Sequence, residues 1–240
     1  MLMKTFLTGY WKNLLMLNYP IEASILQPYL PKGTELDYFN GQAYASLVGF
    51  MFLDTKIKGI AIPLHQNFEE VNLRFYVRFK EGDQWKRGVV FIKEIVPKKM
   101  ITVVANVLYG ERYYNMPMKN SLTETAENFE VKYEWKFMGQ WNFLQASAQK
   151  NVIPVIADSE EEFITEHYWG YSKINDFSTS EYQVNHPQWK LHNIIDYNVQ
   201  CNIAALYGPQ FIDALSQKPS SVLLAQGSAI SINHRKVWKY

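Results

Sequence analysis

The sequence predicts an α+β fold: mainly antiparallel β-strands that close into a barrel, with a few peripheral helices. Three observations predict it. Strand periodicity, punctuated by turn signals, dominates the middle of the chain, whereas helical patterns are short and cluster towards the ends. No linker, low-complexity tract or internal repeat divides the 240 residues, so one domain over 1–240 is expected. Closure is expected because many short antiparallel strands leave reactive edges unless the sheet rolls up.

Taken in chain order, 21–30 places Ile21, Ile25, Leu26 and Tyr29 on one face and stops before Pro31, as a short amphipathic helix does. Over 68–79, Val71, Leu73, Phe75, Val77 and Phe79 alternate with Glu70, Asn72, Arg74, Tyr76 and Arg78, a strand with two chemically opposite faces. Gly82 and Asp83 suit a turn, and a β-branched run from Arg87 to Pro97 completes an antiparallel hairpin. A third strand is expected from Met100, and two more over 130–138 and 141–148, making the middle of the chain a β-meander. Ser159 with Glu162 forms a capping-box pattern that opens a helix. The 201–217 segment reads as a helix divided at Gly208 and Pro209, and 221–232 as a closing strand.

Composition excludes several function classes. Lys and Arg number 24 against 23 Asp and Glu, for a net charge of +1, so no global field draws nucleic acid or anionic lipid. A hydrophobic fraction of 48% excludes intrinsic disorder. No run approaches the roughly 18 apolar residues of a membrane span. The apolar start is interrupted by Lys12 and Asn13 and reads as mature sequence. Cys201 is the sole cysteine, which fits a reducing cytoplasm. Expected partners are a small-molecule ligand, with no nucleic acid and no membrane; association into a homo-oligomer is left open.

No Gly-rich phosphate loop or nucleophile elbow is present, and the five histidines have no metal-ligand spacing, so neither metal nor other cofactor is expected. Cys201 sits in an apolar stretch and reads as core. The polar face Glu70, Asn72, Arg74 and Tyr76 would line a cavity if it looked into a barrel, and would be a solvated outer face otherwise; Arg78 suits the outer face. Tyr109 and Glu111, in Y-G-E-R-Y-Y, suit a pocket mouth or a barrel rim. His167, in E-H-Y-W-G-Y, could act as a general base, but adjacent Glu166 would point about 100° away on a helix and cannot pair with it. Lys98 and Lys99 follow Pro97 at a strand end. If buried together, desolvation and mutual repulsion would lower the Lys98 pKa and free an amine to attack a carbonyl. A solvated turn is the ordinary reading of such a pair.

The motifs W-K-N-L-L-M-L-N-Y, L-P-K-G-T-E-L-D, F-E-E-V-N-L-R-F-Y-V-R, R-G-V-V-F-I-K-E-I-V-P, Y-G-E-R-Y, E-H-Y-W-G-Y and A-Q-G-S resemble, in order and wording, a bacterial family of unknown function, the YqjF-like group. The resemblance spans nearly the whole chain and implies the acetoacetate decarboxylase-like superfamily, hence a closed antiparallel barrel with an internal cavity. A thinner resemblance to the decarboxylase itself rests on Ile62 and Pro63, on Pro97 to Lys99 and on the S-S-V-L-L-A segment. It implies that Lys98 forms a Schiff base and Lys99 lowers its pKa. The positions of that enzyme's active-site glutamates fall near Val48 and Ile57, and that of its arginine near Lys12, so the full constellation is not carried over.

Two functions are therefore expected in competition. In one, the cavity binds a small carbonyl or carboxylate metabolite, with Lys98 and Lys99 catalytic in Schiff-base lyase or decarboxylase-like chemistry and Arg74 holding a carboxylate. In the other, Glu70, Asn72, Arg74, Glu94 and Glu111 form the polar interior of a non-catalytic binding or structural barrel. A surface of exposed aromatics for a protein partner is a third reading.

Overall fold

The computed structural model describes residues 4–99, 102, 106 and 112–240. It begins with β1 (Thr5–Ile21), α1 (Ala23–Leu26) and a 3-10 turn (Gln27–Tyr29), then β2 (Thr34–Leu36), β3 (Ala43–Ile57), β4 (Ile60–Ala61), β5 (Phe68–Glu81) and β6 (Gln84–Val96). Next come β7 (Tyr113–Asn115), β8 (Met118–Glu124), β9 (Asn128–Phe137), β10 (Gln140–Pro154), α2 (Glu160–Thr165), β11 (Trp169–Asn175) and β12 (Ser178–Asn185). The chain ends with β13 (Lys190–Gln200), α3 (Ile203–Tyr207), a 3-10 turn (Pro209–Phe211), α4 (Ile212–Leu215), β14 (Ser221–Asn233) and β15 (Lys236–Lys239). The described residues are mostly β with few helices, and none of their helices is long and apolar enough to cross a membrane.

Strands pair in the order β15-β12-β11-β6-β5-β3-β1-β14-β13-β10-β9-β8, and β14 also pairs with β12 through Val184↔Ile232 and Asn185↔Ser231. The path from β12 through β11, β6, β5, β3, β1 and β14 thus returns to its start. Each strand of that ring has two buried sides. Leu14, Met16, Val48, Phe50, Phe52 and Tyr76 pack on one side. Leu15, Leu17, Leu47, Val71, Leu73 and Phe75 pack on the other, under β9, β10, α3 and α4. Neighbouring residues along β1, β3 and β5 fall into opposite clusters because successive side chains point to opposite faces.

Two irregularities shape the inner side. The β5–β6 register shifts between Leu73 and Arg74, so Leu73 faces Lys93 while Arg74 faces Phe91. This one-residue bulge turns both Phe91 and Glu94 inward. The β1–β3 register shifts between Lys12 and Leu15, where Asn13 has φ 53°, and turns both Trp11 and Leu14 inward. Opposite Lys12 lies Gly227, at φ 82°; a Cβ there would stand 1.9 Å from the Trp11 carbonyl oxygen, so only glycine fits.

Several local expectations match. The hairpin is β5–β6, turning at Gly82 (φ 61°). Ser159 Oγ accepts from Glu162 N at 3.2 Å, while Glu162 Oε2 accepts from Asp158 N at 2.8 Å, one residue before the usual capping-box donor. The 201–217 segment divides at Gly208, with φ 115°.

Others need correction. The strands are long: β1 has 17 residues, and β3 and β10 have 15 each. The expected helix over 21–30 is only α1 and a turn, because Ile21 still belongs to β1. The expected strand from Met100 falls largely outside the described residues, and its described members Thr102 and Asn106, like the preceding Lys99, are helical, with Thr102 N bonded to Lys98 O at 3.2 Å. The continuous meander is also corrected: β5–β6 and β8–β9–β10 are separate units on either side of β3, β1, β14 and β13. Periodicity identifies hairpins, but it carries no information on which hairpins become neighbours.

Candidate functional site

A cavity of about 60 Å³ lies inside the ring, and all seven ring strands contribute to its wall. Glu70, Asn72 and Arg74 come from β5, Glu94 from β6, Trp11 from β1, and His167 from the segment between α2 and β11. The polar face of β5 therefore looks inward, and its apolar face packs against the outer layer. The solvated-outer-face alternative fails for Glu70, Asn72 and Arg74, which are all buried, and holds for Arg78, which pairs with Glu35 at 2.5 Å in the open.

Arg74 sits in this wall with no carboxylate within ion-pair distance among the described residues. Its guanidinium donates to the Met16 sulfur at 3.5 Å and lies 5.7 Å from the Tyr76 ring centre, while its Nε is buried without a partner among the described residues. A buried cation without a bonded counter-charge is costly. Glu70, four residues before Arg74 on the same face of β5, accepts from Asn72 Nδ2 at 2.8 Å and from the Tyr113 hydroxyl at 2.9 Å. Burial pushes its carboxyl up to about 7, against these hydrogen bonds and the Arg74 charge, so near neutral pH much of it is protonated.

His167 is buried with Asp37 rather than Glu166 as its partner. Its Nε2 lies 3.1 Å from Asp37 Oδ2, and Arg87 Nε donates to the same oxygen at 2.6 Å. Asp37 is brought there by backbone pairing, its N–H donating to Tyr76 O at 3.0 Å beside β2. Burial alone would raise the Asp37 carboxyl, but the His167 and Arg87 hydrogen bonds outweigh it and hold it near 2. Burial drives His167 down to about 4 despite Asp37, so at neutral pH the ring is uncharged, with its proton on Nε2. The ring packs 4.7 Å from Tyr76 and 5.1 Å from Phe163, and its Nδ1 has no partner among the described residues. Tyr76 backs the wall and bonds to Ser46 Oγ at 2.6 Å, in a buried chain that continues to Asn18 and Ser221.

Lys98 is half-buried and Lys99 exposed beyond the end of β6, and neither is among the described residues that line the cavity. Tyr109 and Glu111 lie outside the described residues. Sequence reasoning missed Asp37, Arg87, Trp11 and His186. Asp37, just after β2, and Arg87, on β6, reach His167 from far away in sequence; Trp11 opens the W-K-N-L-L-M-L-N-Y motif without any local sign of its place in the cavity, and His186 lies outside every quoted motif. Cys201 is half-buried beside a second cavity on the outer side, where burial pushes its thiol to about 12, an unreactive state. Among the described residues, no group of three or more His, Cys, Asp or Glu could hold a metal ion.

A family model described as an uncharacterized conserved protein, DUF2071, matches residues 8–229. The chain belongs to this family. Within the matched span lie Trp11, Glu70, Asn72, Arg74 and Glu94 of the cavity wall and the Asp37–His167 pair. The uncharacterized protein YqjF of Bacillus subtilis is 27% identical over 190 residues, covering 76% of this chain and 74% of that protein. Among solved structures, an acetoacetate decarboxylase from Legionella pneumophila superposes with a TM-score of 0.65 at 12% identity, over 98% of this chain and 88% of that one. An acetoacetate decarboxylase-like enzyme from Sphingomonas wittichii gives 0.65 at 12% identity, over 98% and 94%. The enduracididine biosynthesis enzyme MppR, complexed with pyruvate, gives 0.63 at 13% identity, over 99% and 91%. At these identities the likeness establishes the acetoacetate decarboxylase-like fold.

Proposed function

We propose that the DUF2071 chain binds a short carboxylate inside its ring of strands, the ring being a closed barrel and the chain a single domain. Arg74 carries the proposal: a buried guanidinium in a cavity wall, with no carboxylate bonded to it among the described residues, is satisfied best by a carboxylate from outside. Size limits the ligand, because at about 10–15 Å³ per water-sized occupant the cavity takes about four to six non-hydrogen atoms. Pyruvate in the MppR complex is a carboxylate of that class, which supports the reading. Glu70, Asn72 and His167 are the other binding residues, with Tyr76 holding His167 in place; Tyr109 and Glu111 remain proposed members of the site from sequence alone.

The competing reading, Schiff-base chemistry through Lys98 with Lys99 as activator, is favoured less, since neither lysine lines the cavity. Calorimetric titration with acetate and propionate tests the binding reading. The wild-type protein is expected to bind both, and Arg74→Gln to lose at least tenfold in affinity; absence of binding to either acid refutes the proposal. Borohydride reduction in the presence of pyruvate tests the rival. No adduct on Lys98 is expected, and an adduct confined to Lys98 would establish the lyase reading instead.

A further inference from the structure

Among the described residues, four cavity-lining side chains bring a polar atom that is buried and finds no partner there: Trp11 Nε1 and Arg74 Nε, which are donors, and Asn72 Oδ1 and His167 Nδ1, which are acceptors. Buried polar groups almost always find partners, so this concentration in one cavity calls for a ligand that supplies them. A bare carboxylate, or a 2-oxo acid such as pyruvate, offers only acceptors. It would satisfy Arg74 and Trp11 and leave Asn72 and His167 without a donor.

The acceptor character of these two atoms is set by their surroundings. Asn72 is oriented by its Nδ2 donation to Glu70 Oε1 at 2.8 Å. The His167 proton is held on Nε2 by Asp37 Oδ2 at 3.1 Å, an oxygen itself fixed by Arg87, which leaves a lone pair on Nδ1. Resting on the carboxylate-binding reading above, we propose that the ligand is a short hydroxycarboxylic acid: its carboxylate is held by Arg74 and its hydroxyl donates its single proton to one of the two acceptors, His167 Nδ1 or Asn72 Oδ1. An amino acid would also bring a donor, but its ammonium would be buried near Arg74. The Glu70 carboxyl, with both oxygens already accepting hydrogen bonds and its acidity weakened by burial, is a poor counter-charge for it.

Calorimetry with lactate, propionate, pyruvate and alanine at neutral pH separates these cases. Lactate is expected to bind at least tenfold more tightly than propionate or pyruvate, because a site built around a hydroxyl rejects analogues that leave its polar groups unpaired. In His167→Phe the lactate-to-propionate affinity ratio is expected to fall towards one. Asn72→Leu provides the same readout if that variant does not fold. Equal affinities for lactate and propionate, or tighter pyruvate, would overturn the inference and leave the carboxylate reading standing. Tighter alanine would overturn it in favour of an ammonium, and no binding by any of the four acids would remove both readings.

Discussion

Arg74 shows how one residue sets function against stability. Its guanidinium has no bonded counter-charge among the described residues, yet β5 holds it inside the ring between Glu70 and Tyr76. Replacing even a buried ion pair by apolar side chains of similar volume often stabilises a protein by about 1–4 kcal/mol, and Arg74 has, among the described residues, no bonded carboxylate whose attraction would be lost. Arg74→Met is therefore expected to raise the urea midpoint while abolishing carboxylate binding. A lower midpoint would show that Arg74 is structural. The titrating residues pull in opposite directions. His167 and His186 have folded pKa values near 4 against 6.5, so the unfolded chain binds two more protons between these values and stability falls as pH falls. Glu70, near 7 against 4.5, binds its proton in the folded state and opposes this by one. Between pH 4.5 and 6.5 the two histidines outweigh Glu70, so these three groups together favour higher pH, and Glu70→Gln is expected to steepen that dependence. Urea unfolding across that window checks it, and an unsteepened slope in the variant would place the Glu70 pKa below the window.

At the scale of elements, two bulges decide which side chains reach the cavity. In a regular strand Trp11 and Leu14 would point to opposite faces, as would Phe91 and Glu94; one extra residue in each strand brings both members of each pair inside. Gly227 permits the β1 bulge, and the neighbouring Ser228 Oγ accepts from Trp189 Nε1 at 2.9 Å. Gly227→Ala meets both a left-handed backbone and the Trp11 carbonyl, and a loss of about 1–3 kcal/mol with weakened carboxylate binding is expected. Unchanged unfolding and binding would mean that the bulge relaxes without cost. The A-Q-G-S motif is visible in the sequence, but its physical reason appears only when β14 lies beside β1.

For the molecule as a whole, closure depends on strands far apart in sequence. β14 pairs with β1, β12 and β13, so a strand within the last twenty residues joins the first strand to the rest of the ring. Removing residues 221–240 is expected to abolish cooperative thermal unfolding and expose the inner cluster to a hydrophobic dye, because β1 and β12 lose their shared neighbour. Retained cooperativity would make β14 an accessory strand.

Local chemistry determined much of this protein. Alternation over 68–79, turn residues at 82–83, the Ser159 cap and the division at Gly208 each settle a backbone state through contacts within a few residues. Alternation also placed Glu70, Asn72, Arg74 and Tyr76 on one face, and the E-H-Y-W-G-Y motif made His167 a candidate. Tertiary structure alone decided that this face looks inward, because a strand covered on both sides has no solvent face for its polar residues to mark. It also gave His167 a partner in Asp37, 130 positions away, and set Lys98 outside the described cavity wall. Those outcomes depend on which strands become neighbours, a choice made by long-range packing that no local spacing encodes.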